Sequence, residues 1–84
     1  MVRVLYFAWV RDAVGQGDEM IAVPPEVVTV SDLADYLSTL SSGHAQVFAD
    51  RSRLRVAVDQ VMAGFDAPIA GATEIAFFPP VTGG

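Results

Sequence analysis

The residues with the most chemical promise stand last. The sequence closes Phe77-Phe78-Pro79-Pro80-Val81-Thr82-Gly83-Gly84. A terminal α-carboxylate on Gly84, with an ordinary pKa of about 3.5, is anionic at neutral pH and a poor acyl electrophile. Attack on the α-phosphate of ATP converts such a carboxylate into an acyl-adenylate, and a sulfur nucleophile that displaces AMP leaves a thiocarboxylate. The chain has no Gly-rich phosphate loop, so ATP must come with another protein. It has no cysteine either, so any sulfur must be imported. On this reading the chain is a carried substrate, in the sense that group carriers are.

Chance alone would place Gly-Gly at a chain end in roughly one sequence in 200, and the preceding residues add meaning. Pro79 and Pro80 each fix φ and push the residue before them toward extended conformations. The tail therefore leaves a folded body at Phe78 stiff and straight. From Pro79 through Val81 and Thr82 to Gly84 it reaches at most about 20 Å, enough to thread a deep pocket in another protein. The prolines lower the entropy lost on ordering, and Gly83 and Gly84, without Cβ, let a narrow channel close on their backbone.

Other chemistry is poorly represented. His44 is a lone histidine with no neighbouring nucleophile or second ligand in the sequence, and no nucleophile-base pair, metal cluster or phosphate loop emerges. The carboxylates Asp12, Asp18, Glu19, Asp59, Asp66 and Glu74 read as solvated loop or strand-edge charges. No catalytic or metal site is expected on the chain itself. The net charge of −5 disfavours nucleic acid and favours attraction to a basic partner. All five cations are Arg, which leaves no ε-amine to accept a chain of its own kind. No stretch reaches the roughly 18 apolar residues of a membrane span and the first residues alternate, so a cytoplasmic protein is expected.

Eighty-four residues allow one domain, and a hydrophobic content of 52% argues for a packed core. Residues 1–78 read as that domain and 79–84 as its tail. Val2 to Val10 alternates with both faces largely apolar, as in a central strand; Arg11 to Gly17 carries turn residues, and Glu19 to Val23 completes a hairpin before Pro24-Pro25. Thr29 is positioned to cap a helix with Asp32 as the capping-box acid, Ser31 being a rival cap. Val30, Leu33, Ala34, Leu37 and Leu40 form one apolar stripe, ended by Ser41-Ser42-Gly43. His44 to Asp50 carries only a weak helical signal. Arg53 to Val58 and Val61-Met62-Ala63 form a second hairpin around Asp59-Gln60, and Glu74 to Phe78 is a last strand stopped by Pro79-Pro80. Strand, strand, helix, strand, strand, strand suits an α+β fold: a ubiquitin-like β-grasp with a mixed five-stranded sheet, one main helix on one face and an extended C-terminal tail. A split β-α-β fold would require a second full helix.

The residues quoted so far resemble the small subunit of molybdopterin synthase, the MoaD-type sulfur carriers, over nearly the whole chain. Val4-Leu5-Tyr6-Phe7-Ala8, Val10-Arg11-Asp12 and Val14-Gly15 are similar to that family's first strand and turn. Ala57-Val58-Asp59-Gln60, Phe65-Asp66, Pro68 and the run from Glu74 to Gly84 are similar to its second half. Asp59, where Asn is common, and the absence of Lys are departures. The resemblance implies adenylation of Gly84 by a ubiquitin-activating-like adenylyltransferase and conversion to a thiocarboxylate. It also implies a large synthase subunit, in a heterotetramer, whose active site receives the tail and passes sulfur to cyclic pyranopterin monophosphate. ATP and sulfur are supplied through these partners, with no cofactor bound by the chain. Sulfur delivery to thiamine or tRNA, and a ubiquitin-like modifier joined through Gly84 to target lysines, are the alternatives.

Phe77 and Phe78 are adjacent in a strand and must face opposite ways, so a single helix covers only one. Phe77 is expected in the core. Phe78, next to the tail and similar to a family contact position, is expected to dock a partner together with Phe7 and Met62, with Arg11 at the rim.

Overall fold

The chain runs β1 (Val2–Tyr6), α1 (Trp9–Val14), β2 (Asp18–Ile21), α2 (Val30–Leu37), α3 (Ser42–Phe48), a 3-10 turn (Arg51–Arg53), β3 (Arg55–Val58), β4 (Val61–Ala63) and β5 (Glu74–Phe78). The computed structural model describes residues 1–80; Val81, Thr82, Gly83 and Gly84 lie outside the described residues. The strands form one mixed sheet in the order β2-β1-β5-β3-β4. β1 pairs parallel with β5, and the other neighbours pair antiparallel. The expected β-grasp arrangement is the one observed, with β1 an interior strand between β2 and β5, and β5 in the middle of the sheet.

The helix face follows from the apolar stripe. Val30, Leu33, Ala34 and Leu37 are all fully buried against the sheet, and the Thr29–Asp32 capping box is formed in both directions, at 3.1 Å each way. Two backbone N–H groups, of Val28 and then Thr29, hold the Asp32 carboxyl below its usual range. Ser31 is not the cap; its hydroxyl accepts from Arg51 instead.

Several boundaries differ from the sequence reading. The first strand stops at Tyr6, and the expected turn from Arg11 to Gly17 is largely helix α1. The Phe7 carbonyl accepts the N–H groups of Val10 and Arg11, and the helix buries Val10 completely. Entry to α1 puts Ala8 at φ 55°, ψ −134°, a region that suits glycine. The second strand is Asp18–Ile21 instead of Glu19 to Val23.

The apolar stripe ends at Leu37, with Ser38 as the C-cap, and Leu40 is exposed. Ser41, expected to end a helix, caps the start of α3, its side chain accepting the His44 N–H. Helix α3 replaces the weak turn expected over His44 to Asp50 and packs on α1, where a Cβ at Gly43 would collide with the Ala13 carbonyl oxygen. The helical layer is thus shared by α1, α2 and α3. Arg53 belongs to the 3-10 turn, so β3 begins at Arg55.

The second hairpin forms as expected. Asp59 and Gln60 both take positive φ, 49° and 69°, which matches a two-residue type I′ turn. Asp59 is not simply solvated, because its Oδ1 accepts the N–H groups of Thr73 and Glu74 at 2.9 Å each.

Candidate functional site

The tail grows from the central strand. In β5 the alternation is strict: Ile75 and Phe77 are fully buried under the helices, whereas Glu74, Ala76 and Phe78 face the other side and are half-buried. Phe77 meets Phe48 edge to face, with ring centroids 5.0 Å apart. Phe77 thereby anchors the strand end from which Pro79 and Pro80 depart. Both prolines are half-buried and lie outside the strand.

The strand register assembles the helix-free face. Leu5 lies opposite Ala76, Ala76 opposite Ala57, and Ala57 opposite Met62, making one row across four strands. Phe78 lies opposite Arg55, one row nearer the tail. Phe7 follows Tyr6, which pairs with Phe77, and donates its N–H to the Phe77 carbonyl at 3.2 Å. Phe7 is 48% exposed and Met62 62% exposed. Phe7, Phe78 and Met62 therefore share the open face, with Met62 at the β4 edge, two strands (about 10 Å) from β5.

Arg11 takes a different place. It is exposed on α1, and its guanidinium packs over Gly17, where a Cβ would come within 3.5 Å of Nε. It borders the open face on the side away from Met62. Trp9, placed by alternation on the same face as Leu5 and Phe7, has left the sheet for α1. Ala57, Ala76 and Met20, the last 57% exposed opposite Arg3, are members of the open face that the sequence reading did not single out. Their signal was present in the i, i+2 alternation but required the register between strands.

A polar network unforeseen in the sequence ties β1, β2 and α3. The Tyr6 hydroxyl donates to Glu19 Oε2 at 2.6 Å, His44 Nε2 lies 2.6 Å from the same oxygen, and Gln16 donates to Oε1 at 3.2 Å. Ser41 Oγ is 2.7 Å from His44 Nδ1. Glu19 is thus no solvated edge charge, and His44, 96% buried, is not alone. Burial first, and then the Glu19 carboxylate, push the Tyr6 hydroxyl well above its usual range. Ser41, His44 and Glu19 bring together the residue types of a hydrolase. Here the Ser41 hydroxyl accepts the His44 backbone N–H as the cap of α3, so the trio fastens a helix to a strand. Among the described residues no group of three or more His, Asp or Glu could hold a metal ion, and no helix is long and apolar enough to cross a membrane.

The family model described as the ThiS family matches residues 4–84. The chain belongs to the ThiS family. As a ThiS-family protein it is 39% identical over 84 residues, all of both chains, to the molybdopterin synthase sulfur carrier subunit of Escherichia coli (strain K12). It is 31% identical over 84 residues, again all of both chains, to the protein of the same name in Haemophilus influenzae. Among solved structures it is similar to SAMP1 from Haloferax volcanii, with a TM-score of 0.76 and 26% identity over 99% of this chain and 98% of that one. The ThiS-family assignment covers the MoaD-type resemblance and the ubiquitin-like sheet together.

Proposed function

We propose that this chain carries sulfur as a thiocarboxylate on Gly84 and delivers it within a molybdopterin synthase. A partner adenylyltransferase supplies ATP, the Gly84 carboxylate attacks its α-phosphate, and pyrophosphate leaves. A sulfur nucleophile then displaces AMP. The tail next enters the active site of a large synthase subunit, where its sulfur passes to cyclic pyranopterin monophosphate. Phe78, Phe7 and Met62 dock on the partner with Arg11 at the rim. Pro79 and Pro80 hold the exit, and Val81, Thr82 and Gly83 occupy the channel. The chain has no catalytic role beyond its carboxylate and binds no cofactor of its own.

The observation that carries this reading is the full-length identity of 39% to a relative whose name is molybdopterin synthase sulfur carrier subunit. The direct test is intact mass after incubation with ATP, the adenylyltransferase and a sulfur donor. Replacement of one oxygen by sulfur is expected in the full chain and not in a chain lacking Gly84. An unchanged mass with demonstrably active enzyme would overturn the reading.

The likeness to SAMP1, a small archaeal modifier protein, favours a second reading as a protein modifier conjugated through Gly84. Adducts in cell extract that survive reductant distinguish it.

A further inference from the structure

We infer that Met62 is an oxidation-sensitive site in the docking surface, and that a peroxide, by converting its thioether to the sulfoxide, stops the carrier from engaging the large synthase subunit. This inference rests on the function proposed above and adds a reaction on the chain that sulfur transfer does not use.

The chain has no cysteine, so its three methionines hold all the sulfur it is synthesised with. Methionine is ordinarily a core residue, yet Met1, Met20 and Met62 are all exposed. Met62 lies in β4, an edge strand of the sheet, where water and small solutes reach its thioether. With every thioether outside the core, oxidation leaves the packed interior as it is.

The surroundings of Met62 make its oxidation matter for docking and not for folding. Across β3, β5 and β1 its row continues through Ala57, Ala76 and Leu5, whose side chains donate no hydrogen bond. In the free chain a sulfoxide oxygen at Met62 is solvated. Docking strips that water from a strong acceptor, this row offers it no donor in exchange, and a buried acceptor left unsatisfied is costly. The thioether is apolar and adapts its shape to a partner, whereas the sulfoxide is polar and chiral.

Met20 supplies the contrast. It is on the same face and nearly as exposed, 57% against 62% for Met62, but it lies opposite Arg3, which lies opposite Glu74. That row is four residues along β5 from Phe78, about 13 Å, and Met20 stands on β2, the opposite edge. Met62 shares the row of Ala76, one row from Phe78. Both thioethers meet an oxidant with similar ease, and only Met62 borders the apolar patch beside the tail.

Peroxide alone balances the reaction. The Met62 sulfur attacks one peroxide oxygen and the O–O bond breaks. The sulfur keeps that oxygen as S=O, oxidised by two electrons, and the proton of the transferred oxygen passes to the departing hydroxide, which leaves as water. A methionine sulfoxide reductase reverses the change, two thiols being oxidised to a disulfide as the oxygen leaves as water. The carrier is open to oxidation while it travels between partners and shielded while docked.

The test uses the full chain with its tail as the carboxylate, so that methionines are the only sulfur treated. Parent, Met20→Leu and Met62→Leu are incubated with hydrogen peroxide and quenched with catalase. Peptide mass mapping checks for a gain of about 16 Da at each methionine, and circular dichroism for an unchanged fold. Binding to the purified, unoxidised large synthase subunit is read by titration calorimetry. Oxidised parent and oxidised Met20→Leu are expected to bind about tenfold more weakly than before treatment. Oxidised Met62→Leu is expected to stay within about twofold, Leu replacing Met at similar volume. Sulfoxide reductases of both epimer specificities should restore the parent. Unchanged affinity of a parent oxidised at Met62, or equal weakening of Met62→Leu, would overturn the inference. Thiocarboxylate formation on the untreated parent is scored alongside. A parent that forms it while oxidation leaves binding unchanged loses the Met62 site and keeps the carrier function; a parent that forms none loses the carrier function and this inference with it.

Discussion

The Tyr6 hydroxyl donates to Glu19 across the first strand pair, 2.6 Å from Oε2. The folded chain holds the Tyr6 proton more tightly than the unfolded chain, whose phenol titrates near its ordinary value of about 10. The contribution is therefore complete below about pH 10 and lost as pH rises beyond it. Thermal denaturation between about pH 8 and 11 should show the melting temperature falling above pH 10 in the parent and falling less in Tyr6→Phe. At neutral pH Tyr6→Phe should cost about 1 kcal/mol, and Glu19→Ala, which strips a partner from both Tyr6 and His44, about 2 kcal/mol or more.

Ala8 adopts φ 55° and ψ −134° at the entry to α1. Ala8→Gly relieves a conformation that costs an alanine of the order of 1 to 3 kcal/mol, partly offset by the greater freedom of glycine in the unfolded chain. A net gain of about 1 kcal/mol is expected, read as a higher urea midpoint with unchanged slope.

The cap of α2 gives a third expectation. Thr29→Ala should cost about 1 kcal/mol in urea denaturation. Backbone N–H groups lower the Asp32 pKa, Val28 contributing most, so its stabilisation is present above the unfolded value of about 4 and lost as pH falls through the lower folded value. The stability difference between parent and Asp32→Asn should accordingly shrink on acidification below about pH 4.

Adjacent phenylalanines should respond oppositely. Phe77→Ala removes a fully buried ring and should cost about 3 to 5 kcal/mol, enough to unfold much of so small a domain. Phe78→Ala should leave the melting curve within about 1 kcal/mol of the parent while weakening titration-calorimetry binding to the large synthase subunit at least tenfold. Unchanged affinity would remove Phe78 from the proposed docking surface.

The features legible in the sequence are those written in local chemistry. Pro79-Pro80 fixes the end of β5 at Phe78, Thr29 and Asp32 set the start of α2, and Asp59-Gln60 marks the tight turn. Helix α1 was hidden because Trp9 and Val10 prolong the apolar run of β1, and only the Ala8 turn breaks it. Helix α3 was hidden because Ser41-Ser42-Gly43 reads equally as an ending and as a beginning. The Glu19 network joins residues 13 and 25 positions apart, a closeness that alternation and capping signals do not encode. The open face was half legible: alternation sorts Phe78 from Phe77, but only register sets Met62 beside Ala57 and Ala76.

The central position of β5 has a mechanical consequence. A strand bonded on one side to parallel β1 and on the other to antiparallel β3 takes a pull along its axis as shear shared between two ladders. An edge strand could be peeled away one bond at a time. Traction on the residues beyond Phe78 thus loads a strand bonded along both of its edges, with the Phe77 ring acting as its barb.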